Sequence, residues 1–207
     1  MPPPSSTPGY WDDRYRSEPV PTEPGIFVTD ELLPLLGEPG RAVDLAGGAG
    51  RHAIWLAQRG WEVTLVDSSR VALDLASRRA SAAGVDLGVV LADLTSDALP
   101  PGPWDLILIT HYLQRDLFAK AARLLVPGGL LAFSIATVRN LDRHERPPRR
   151  AVLAEHEAPT LAGDLEIVFY EEGWSRAGRH EARVIARAPA TGGGTERGRS
   201  RASADAR

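Results

Sequence analysis

Cysteine is absent from the 207-residue chain. That excludes disulfides, zinc–thiolate centres and thiol nucleophiles, and it leaves the redox compartment unread. Lysine is almost absent too: Lys120 stands alone, so the positive charge is carried by arginine. With abundant alanine, this skew reads as GC-rich coding bias rather than as phosphate recognition. Neither sign of charge dominates, the formal net charge being −3, which argues against nucleic acid held on a broad basic surface. No apolar run approaches the length needed to span a bilayer. The opening residues MPPPSSTPG lack the basic patch and apolar stretch of a secretory signal. The expectation is a cytoplasmic protein with neither membrane nor nucleic acid as a partner.

What is present suits one globular domain. Apolar residues make up 43% of the chain, enough for a core. Residues 1–9 are rich in Pro and Ser, and residues 189–207 carry almost no apolar side chains. Both ends are expected to be disordered, around a domain at 10–188.

Within that domain short apolar runs alternate with helical patterns. Residues 41–46, 62–66, 86–91, 104–110 and 130–136 read as strands. Residues 51–59, 69–83 and 114–125 read as helices, the first two stopping at Gly60 and Gly84 and the third at Pro127-Gly128-Gly129. This alternation implies a doubly wound, mostly parallel sheet covered by helices on both faces. The end differs. Residues 165–170 and 181–188 are separated by ten residues, too few for a crossover helix, so they are expected to form an antiparallel hairpin. A helix is expected around 150–157.

The strongest local signal is Val43-Asp44-Leu45-Ala46-Gly47-Gly48-Ala49-Gly50-Arg51. An acidic residue near the end of the first strand precedes a turn of small residues, and a helix follows. Small residues let a ligand lie against the backbone, and a helix start offers free N–H groups to an anion. The turn also fits the G-x-G-x-x-A pattern of dinucleotide sites. Asp44 tilts the choice: so close to a pyrophosphate it would repel, whereas it suits an ammonium group. Asp67, at the end of the second strand, either accepts from the hydroxyls of a ribose or caps the next helix, a role Ser68 or Ser69 fills equally well. Asp93 beside Leu94 either meets an adenine or caps a loop turn. Thr110, His111 and Tyr112 end the fourth strand, where open α/β sheets hold their ligands. His111 is read as a general base or as a positioning wall.

In this order along the chain, Asp44, Gly48-Ala49-Gly50, Asp67, Asp93-Leu94, Thr110-His111 and Pro127-Gly128-Gly129 resemble the class I S-adenosylmethionine-dependent methyltransferases. Tyr10-Trp11-Asp12-Asp13-Arg14-Tyr15 and Gly50-Arg51-His52-Ala53-Ile54-Trp55-Leu56-Ala57 are similar to the small tellurite-resistance-type group. The resemblance implies a seven-stranded, Rossmann-like sheet whose last two strands form the hairpin. It also implies S-adenosylmethionine as cofactor, with Asp44 and Gly48 at its methionine end, Asp67 with Ser68 at the ribose, and Asp93 with Leu94 at the adenine. Gly50, Arg51 and Thr110 complete the expected cradle, Arg51 facing either the cofactor carboxylate or Asp12. The family usually has glycine where Ala46 stands and often cysteine where Gly47 stands. A methyl group at Ala46 is tolerable but shifts the cofactor's pose.

A sulfonium donor is already activated, so the protein's task is alignment of the reacting atoms and exclusion of water. His111 and Tyr112 are the expected catalytic side chains. Tyr10, Trp11 and Tyr15 are expected to fold over the substrate, by cation–π attraction to the sulfonium or by plain packing. The three histidines His144, His156 and His180 do not form a metal spacing, and no metal is expected. The acceptor is expected to be a small molecule, with metalloids and other soft nucleophiles among the options. The competing readings are a nicotinamide-dependent oxidoreductase and a non-catalytic cofactor-binding module.

Overall fold

The computed structural model describes Pro8 to Ala190; residues 1–7 and 191–207, and the expectations made for them, lie outside the described residues. The chain opens with helix α1 (Pro8–Ser17), which therefore includes Pro8 and Gly9. A segment without regular pattern follows and coils into a π-helical turn (Phe27–Leu32) and a 3₁₀ turn (Leu33–Leu35). Then come β1 (Arg41–Leu45), α2 (Arg51–Ala57), β2 (Glu62–Asp67), α3 (Arg70–Ala82), β3 (Gly88–Leu91), β4 (Trp104–Thr110), α4 (Arg115–Ala122) and β5 (Leu125–Ala136). After two 3₁₀ turns and α5 (Ala158–Leu161), the chain ends in β6 (Glu166–Trp174) and β7 (His180–Arg187).

The seven strands form one sheet in the order β3-β2-β1-β4-β5-β7-β6. Strands β1 to β5 run parallel, and β7 joins β5 and β6 antiparallel. The doubly wound sheet and its terminal hairpin are thus both present. Strand alternation feeds two cores, one on each face. Ile107 and Ile109 of β4 enter one, with Phe118 and Phe133 meeting edge to face at 4.9 Å. Leu106 and Leu108 enter the other, with Leu56 and Trp61. Because strand order reverses between β1 and β4, their carboxyl ends border the crevice where such sheets bind ligands. Among the described residues no helix is long and apolar enough to cross a membrane.

Two local expectations are corrected. There is no helix at 150–157. Residues 149–151 make a 3₁₀ turn, and Val152 and Leu153 then run extended into the core, with Leu153 bridged to Thr137. The pull is burial plus backbone pairing: Leu153 donates to the Ala136 carbonyl and Val138 donates back to Leu153. The helix comes later, as α5, with a proline in its first turn. Likewise α4 stops at Ala122, and Pro127-Gly128-Gly129 lies inside β5 as a bulge. Trp104 pairs with Leu125 but Leu106 already pairs with Leu130. The extra residues are secured to the end of β7 by bonds between Gly128 and Ala188 and between Ala188 and Gly129.

Candidate active site

The turn after β1 is wound tightly enough to use its small residues. Gly48 (φ +60°), Gly50 (φ +76°) and Ala46 (φ +56°) are all left-handed. Ala46 carries its methyl group there at a cost of about 1 kcal/mol. A Cβ on Gly47 would collide with Leu65 and Asp44, and one on Gly48 would collide with the Tyr15 hydroxyl. Gly50 precedes α2 without a side-chain cap.

Three carboxylates stand at the ends of β1, β2 and β3, each in a different state. Asp44 is fully buried, and neither of its oxygens makes a full hydrogen bond, although the Ala53 amide lies near enough to steady the charge. Burial pushes its carboxyl up to about 7, opposed by Arg51 and reinforced by Asp67. Asp67 is satisfied. Its Oδ2 accepts from the Gly48 amide at 2.8 Å and its Oδ1 from the Ser69 amide at 2.9 Å. It therefore ties the turn to the end of β2. Burial raises its carboxyl while these amides and that of Ser68 draw it down. The cap of α3 is made by other groups: Ser69 Oγ accepts from Ala72 and donates to Asp12 at 2.6 Å, and the Val71 amide also donates to Asp12. Asp12 is thus engaged at α3 and forms no pair with Arg51. The third carboxylate, Asp93, accepts from the Thr95 amide and hydroxyl at 2.9 and 2.7 Å, a turn-capping pattern. Leu94 is buried in the core beside it.

At the end of β4, Thr110 is buried against His52. Nε2 of His52 accepts from the Gly25 amide at 3.1 Å, so the proton sits on Nδ1 and points to Thr110 Oγ at 3.4 Å. Burial, with Arg51 adding to it, presses this imidazole down to about 3. His111 follows with φ +58°. Its Nε2 accepts from Arg179 at 3.2 Å and its Nδ1 stands 3.6 Å from Glu181. Its side chain is 34% accessible, because it forms a crevice wall rather than core. Enclosure by the crevice, with Arg179 and Arg51 adding to it, still holds the imidazole well below its ordinary value. Tyr112 turns away, donating to Gln114 at 2.8 Å. Burial pushes its hydroxyl up to about 12, and Asp93 and Asp67 are among the charges that raise it, so it belongs to their side of the crevice.

A cavity of about 420 Å³ opens beside His111. Its walls come from the segment before the π-helical turn (Gly25), the ends of α2 and β4 (Arg51, His52) and β5 (Ser134). The hairpin closes it with Trp174 and Glu181. Arg183 of β7 clasps Glu31 at 2.6 Å and Glu171 at 2.9 Å, joining the hairpin to the N-terminal segment. Thr110, His111, Arg51 and their neighbours are therefore brought together, while Gly48, Asp67 and Tyr15 gather on the adjoining side. Of the expected aromatic cover, Tyr15 alone reaches the turn. Burial raises its hydroxyl, and Asp67 and Asp44 raise it further. Tyr10 and Trp11 pack on each other at 5.2 Å, with Arg14 near Trp11, and do not line the cavity.

Sequence reasoning missed His52, Arg179, Glu181 and Ser134. His52 had a signal, lying next to Arg51 in the turn motif. Arg179 and Glu181 had none, since Arg179 sits in the hairpin connection and Glu181 at the start of β7, and their distance from β4 depends on sheet order. Among the described residues no group of three or more His, Asp or Glu side chains is placed to hold a metal.

Residues 42–129 match the sequence profile of the methyltransferase domain family. The "Ribosomal RNA small subunit methyltransferase C" of Alcanivorax borkumensis is 32% identical over 46% of this chain and 32% of its own length. The tRNA 5-carboxymethoxyuridine methyltransferase of Escherichia coli K12 is 26% identical over 70% of this chain and 63% of its own. The chain thus spans a third to just under two thirds of the length of these relatives. TehB from Haemophilus influenzae has the same fold at a TM-score of 0.65 and 20% identity, covering 86% of this chain and 66% of that one. Solved S-adenosylmethionine-dependent methyltransferases share it at 19–22% identity. Residues 42–129 thus match a methyltransferase domain, and the chain shares its fold with S-adenosylmethionine-dependent methyltransferases.

Proposed function

We propose that the chain transfers a methyl group from S-adenosylmethionine to a small molecule held in the cavity between the hairpin and the N-terminal segment. The observation that carries this reading is Asp44. A carboxylate buried without a full hydrogen bond, under a turn that ties two strand ends at the topological switch point, is short of positive charge: Arg51 offsets it only in part and Asp67 repels it. The ammonium of the donor's methionine end supplies it. A dinucleotide pyrophosphate would bring a further negative charge to the same place, which speaks against the nicotinamide reading.

In this reading Gly48 and Gly50 give the donor backbone to lie on, and Arg51 faces its carboxylate. Asp67, which takes three amides, keeps acceptor capacity for a ribose hydroxyl. Asp93, Leu94 and Tyr112 border the adenine, with Ser68 beside the ribose. Thr110 and His111 form the wall between donor and cavity. The bound donor supplies an electrophilic methyl group. Arg179 fixes His111 by occupying Nε2, and the His52 bridge from Gly25 to Thr110 holds the N-terminal segment over the reacting centre and keeps water out. The modest enclosed volume and the net charge of −3 favour a small acceptor over RNA.

Calorimetric titration with S-adenosylhomocysteine and with NADH tests the donor assignment. Binding of the former alone, weakened at least about tenfold by Asp67→Ala, is expected. NADH binding, or an unchanged Asp67→Ala affinity, would sink it. Labelled-donor profiling against small molecules and transfer RNA then tests the acceptor class.

A further inference from the structure

The floor of the cavity is the carboxyl edge of one sheet face. Register pairs Thr110 of β4 with Ser134 of β5, Ser134 with Arg183 of β7, and Arg183 with Glu171 of β6. Paired side chains share a face, so these four polar groups continue the face that buries Leu106, Leu108 and Ala132 further back. Glu181 lies on the same face, two residues from Arg183, and accepts from the Ser134 hydroxyl at 3.4 Å. Its charge acts on Arg51, which puts it at the donor end of the cavity. Two carboxylate oxygens in the lining are buried without a hydrogen bond, Glu31 Oε2 and Glu181 Oε1. Arg179 Nε stands 2.8 Å from Glu181 Oε1, yet its N–H is not aimed at that oxygen and is itself left unbonded. His111 Nδ1, at 3.6 Å, is beyond hydrogen-bond range. Glu181, 5% exposed, thus keeps a lone pair for a hydrogen-bond donor supplied by a ligand.

Charge selects against an ionic acceptor. Four arginines and four carboxylates line the cavity. Once Arg51 faces the donor's carboxylate, the donor's sulfonium takes its place in the balance. A carboxylate or an alkylammonium entering beside it upsets that balance, and a neutral molecule does not. Among neutral nucleophiles, a thiol is too weak a hydrogen-bond donor to satisfy a buried carboxylate, whereas a hydroxyl does so. The walls ask for an apolar body. Ile26 lines the cavity yet is 42% exposed, and Trp174 stands on the hairpin side with Arg143 over its ring at 3.8 Å. Of the hydroxyls, a phenol has the acidity for a carboxylate to assist, with a pKa of about 10. We propose that the acceptor is a neutral phenol whose ring lies against Ile26 and Trp174, and that Glu181 takes the phenolic proton during methyl transfer. The phenol oxygen forms the new O–CH₃ bond as the S–CH₃ bond breaks, and that electron pair stays on sulfur. The O–H proton passes to Glu181 Oε1, so the sulfonium and carboxylate charges vanish together. The aryl ether has no donor left for Glu181 and leaves, and Glu181 then gives its proton to solvent.

This inference rests on the methyl-transfer reading, and the experiment separates the two. The full chain is first titrated with S-adenosylhomocysteine; failure at that step overturns the donor reading, and this proposal with it, before any acceptor is added. The loaded protein is then titrated with p-cresol, with its methyl ether p-methylanisole, with the anion p-toluate and with the cation of p-methylbenzylamine. Binding of p-cresol at least about tenfold tighter than that of the other three is expected, and Ile26→Ala, a change at an exposed side chain, should weaken it about threefold. Methyl-labelled donor is next incubated with p-cresol, catechol and naphthol, and in parallel with p-toluate, p-methylbenzylamine and p-thiocresol. Label in an alkali-stable ether, from the phenols only, is the expected result. Glu181→Gln keeps an oxygen to accept the hydroxyl but cannot take its proton. It should lower the transfer rate about a hundredfold or more. Its affinities for S-adenosylhomocysteine and p-cresol should stay within about threefold of wild type, which also shows that the variant is folded. Equal binding of the ether or of either ion, absence of p-cresol binding, or lack of transfer to every phenol overturns the proposal. So does a folded Glu181→Gln that transfers within about tenfold of the wild-type rate, or label on the carboxylate, amine or thiol with none on the phenols.

Discussion

The hydroxyl of Tyr15 stands directly over Gly48, where a single Cβ would collide with it. Helix α1 is thereby keyed to the turn after β1, and the residue that permits the contact also adopts φ +60°. Gly48→Ala is expected to cost about 1 kcal/mol for the left-handed backbone, with a further penalty for displacing Tyr15. Urea unfolding measures the total. Combined with Tyr15→Ala, the two effects should fall short of their sum, because the second change removes the obstacle. Strict additivity would mean that α1 does not key the turn.

How much of this was legible in the sequence depends on what fixed each feature. Asp44, Gly48 and Asp67 lie on consecutive strand ends, and strand alternation with its glycine turn is a local signal, so they could be brought together by pattern alone. Arg179 meets His111 only because β7 inserts between β5 and β6. No spacing in the chain announces that. The failed helix at 150–157 has a similar cause. Its composition allows a helix, but Val152 and Leu153 gain more from burial and from pairing beside Thr137. Adjacency groups Tyr10 and Trp11 with Tyr15, but helical spacing turns Tyr10 away from it, and Trp11, on the same face one turn earlier, packs on Tyr10 instead.

Asp44 makes the stability of the unliganded protein depend on pH. Burial pushes its carboxyl up to about 7 in the fold, against about 3.9 for a free aspartate. Below the lower value both states are protonated and nothing is lost. Between the two, the folded state holds the extra proton, so stability falls as pH rises, and the full penalty stands above about pH 7. The shift corresponds to roughly 4 kcal/mol at most. Asp44→Asn should flatten this part of the profile, seen as a smaller difference between unfolding free energies at pH 5 and pH 8. If the ammonium of the donor then ionises Asp44, binding below pH 7 must release a proton. Calorimetry in buffers of different ionisation enthalpy reads that release directly, and its absence would show Asp44 already charged.

His111 is expected to stay neutral throughout the range where free histidine titrates. Its enclosure and the adjacent Arg179 and Arg51 disfavour the imidazolium, and Arg179 occupies Nε2 as a donor. Long-range ¹H–¹⁵N spectra should show a neutral ring protonated on Nδ1 from pH 8 down to about 5. Arg179→Gln removes one of the opposing charges and should move the titration upward. An inflection near pH 6.5 in the wild-type protein would restore His111 as a candidate base.

The clasp at Arg183 offers a test of how the cavity is held closed. Its guanidinium is 8% exposed as a residue and bonds Glu31 and Glu171, so it joins β7 to the N-terminal segment and to β6 at once. Burial already raises the Glu31 carboxyl, and Arg183 is the charge that offsets this. Arg183→Gln leaves that carboxylate without its cation in a partly enclosed site, which should cost about 2–3 kcal/mol, less than a fully buried pair because water reaches Glu31. Glu31→Gln with Arg183→Gln should recover part of the loss, since the only carboxylate then left without its cation is the exposed Glu171. If the single variant unfolds at the wild-type urea midpoint, the bond contributes nothing to closure. In that case the His52 bridge between Gly25 and Thr110 must hold the segment alone, and His52→Ala should then free it, raising hydrogen exchange at the amides around Gly25 while leaving those of the central strands protected.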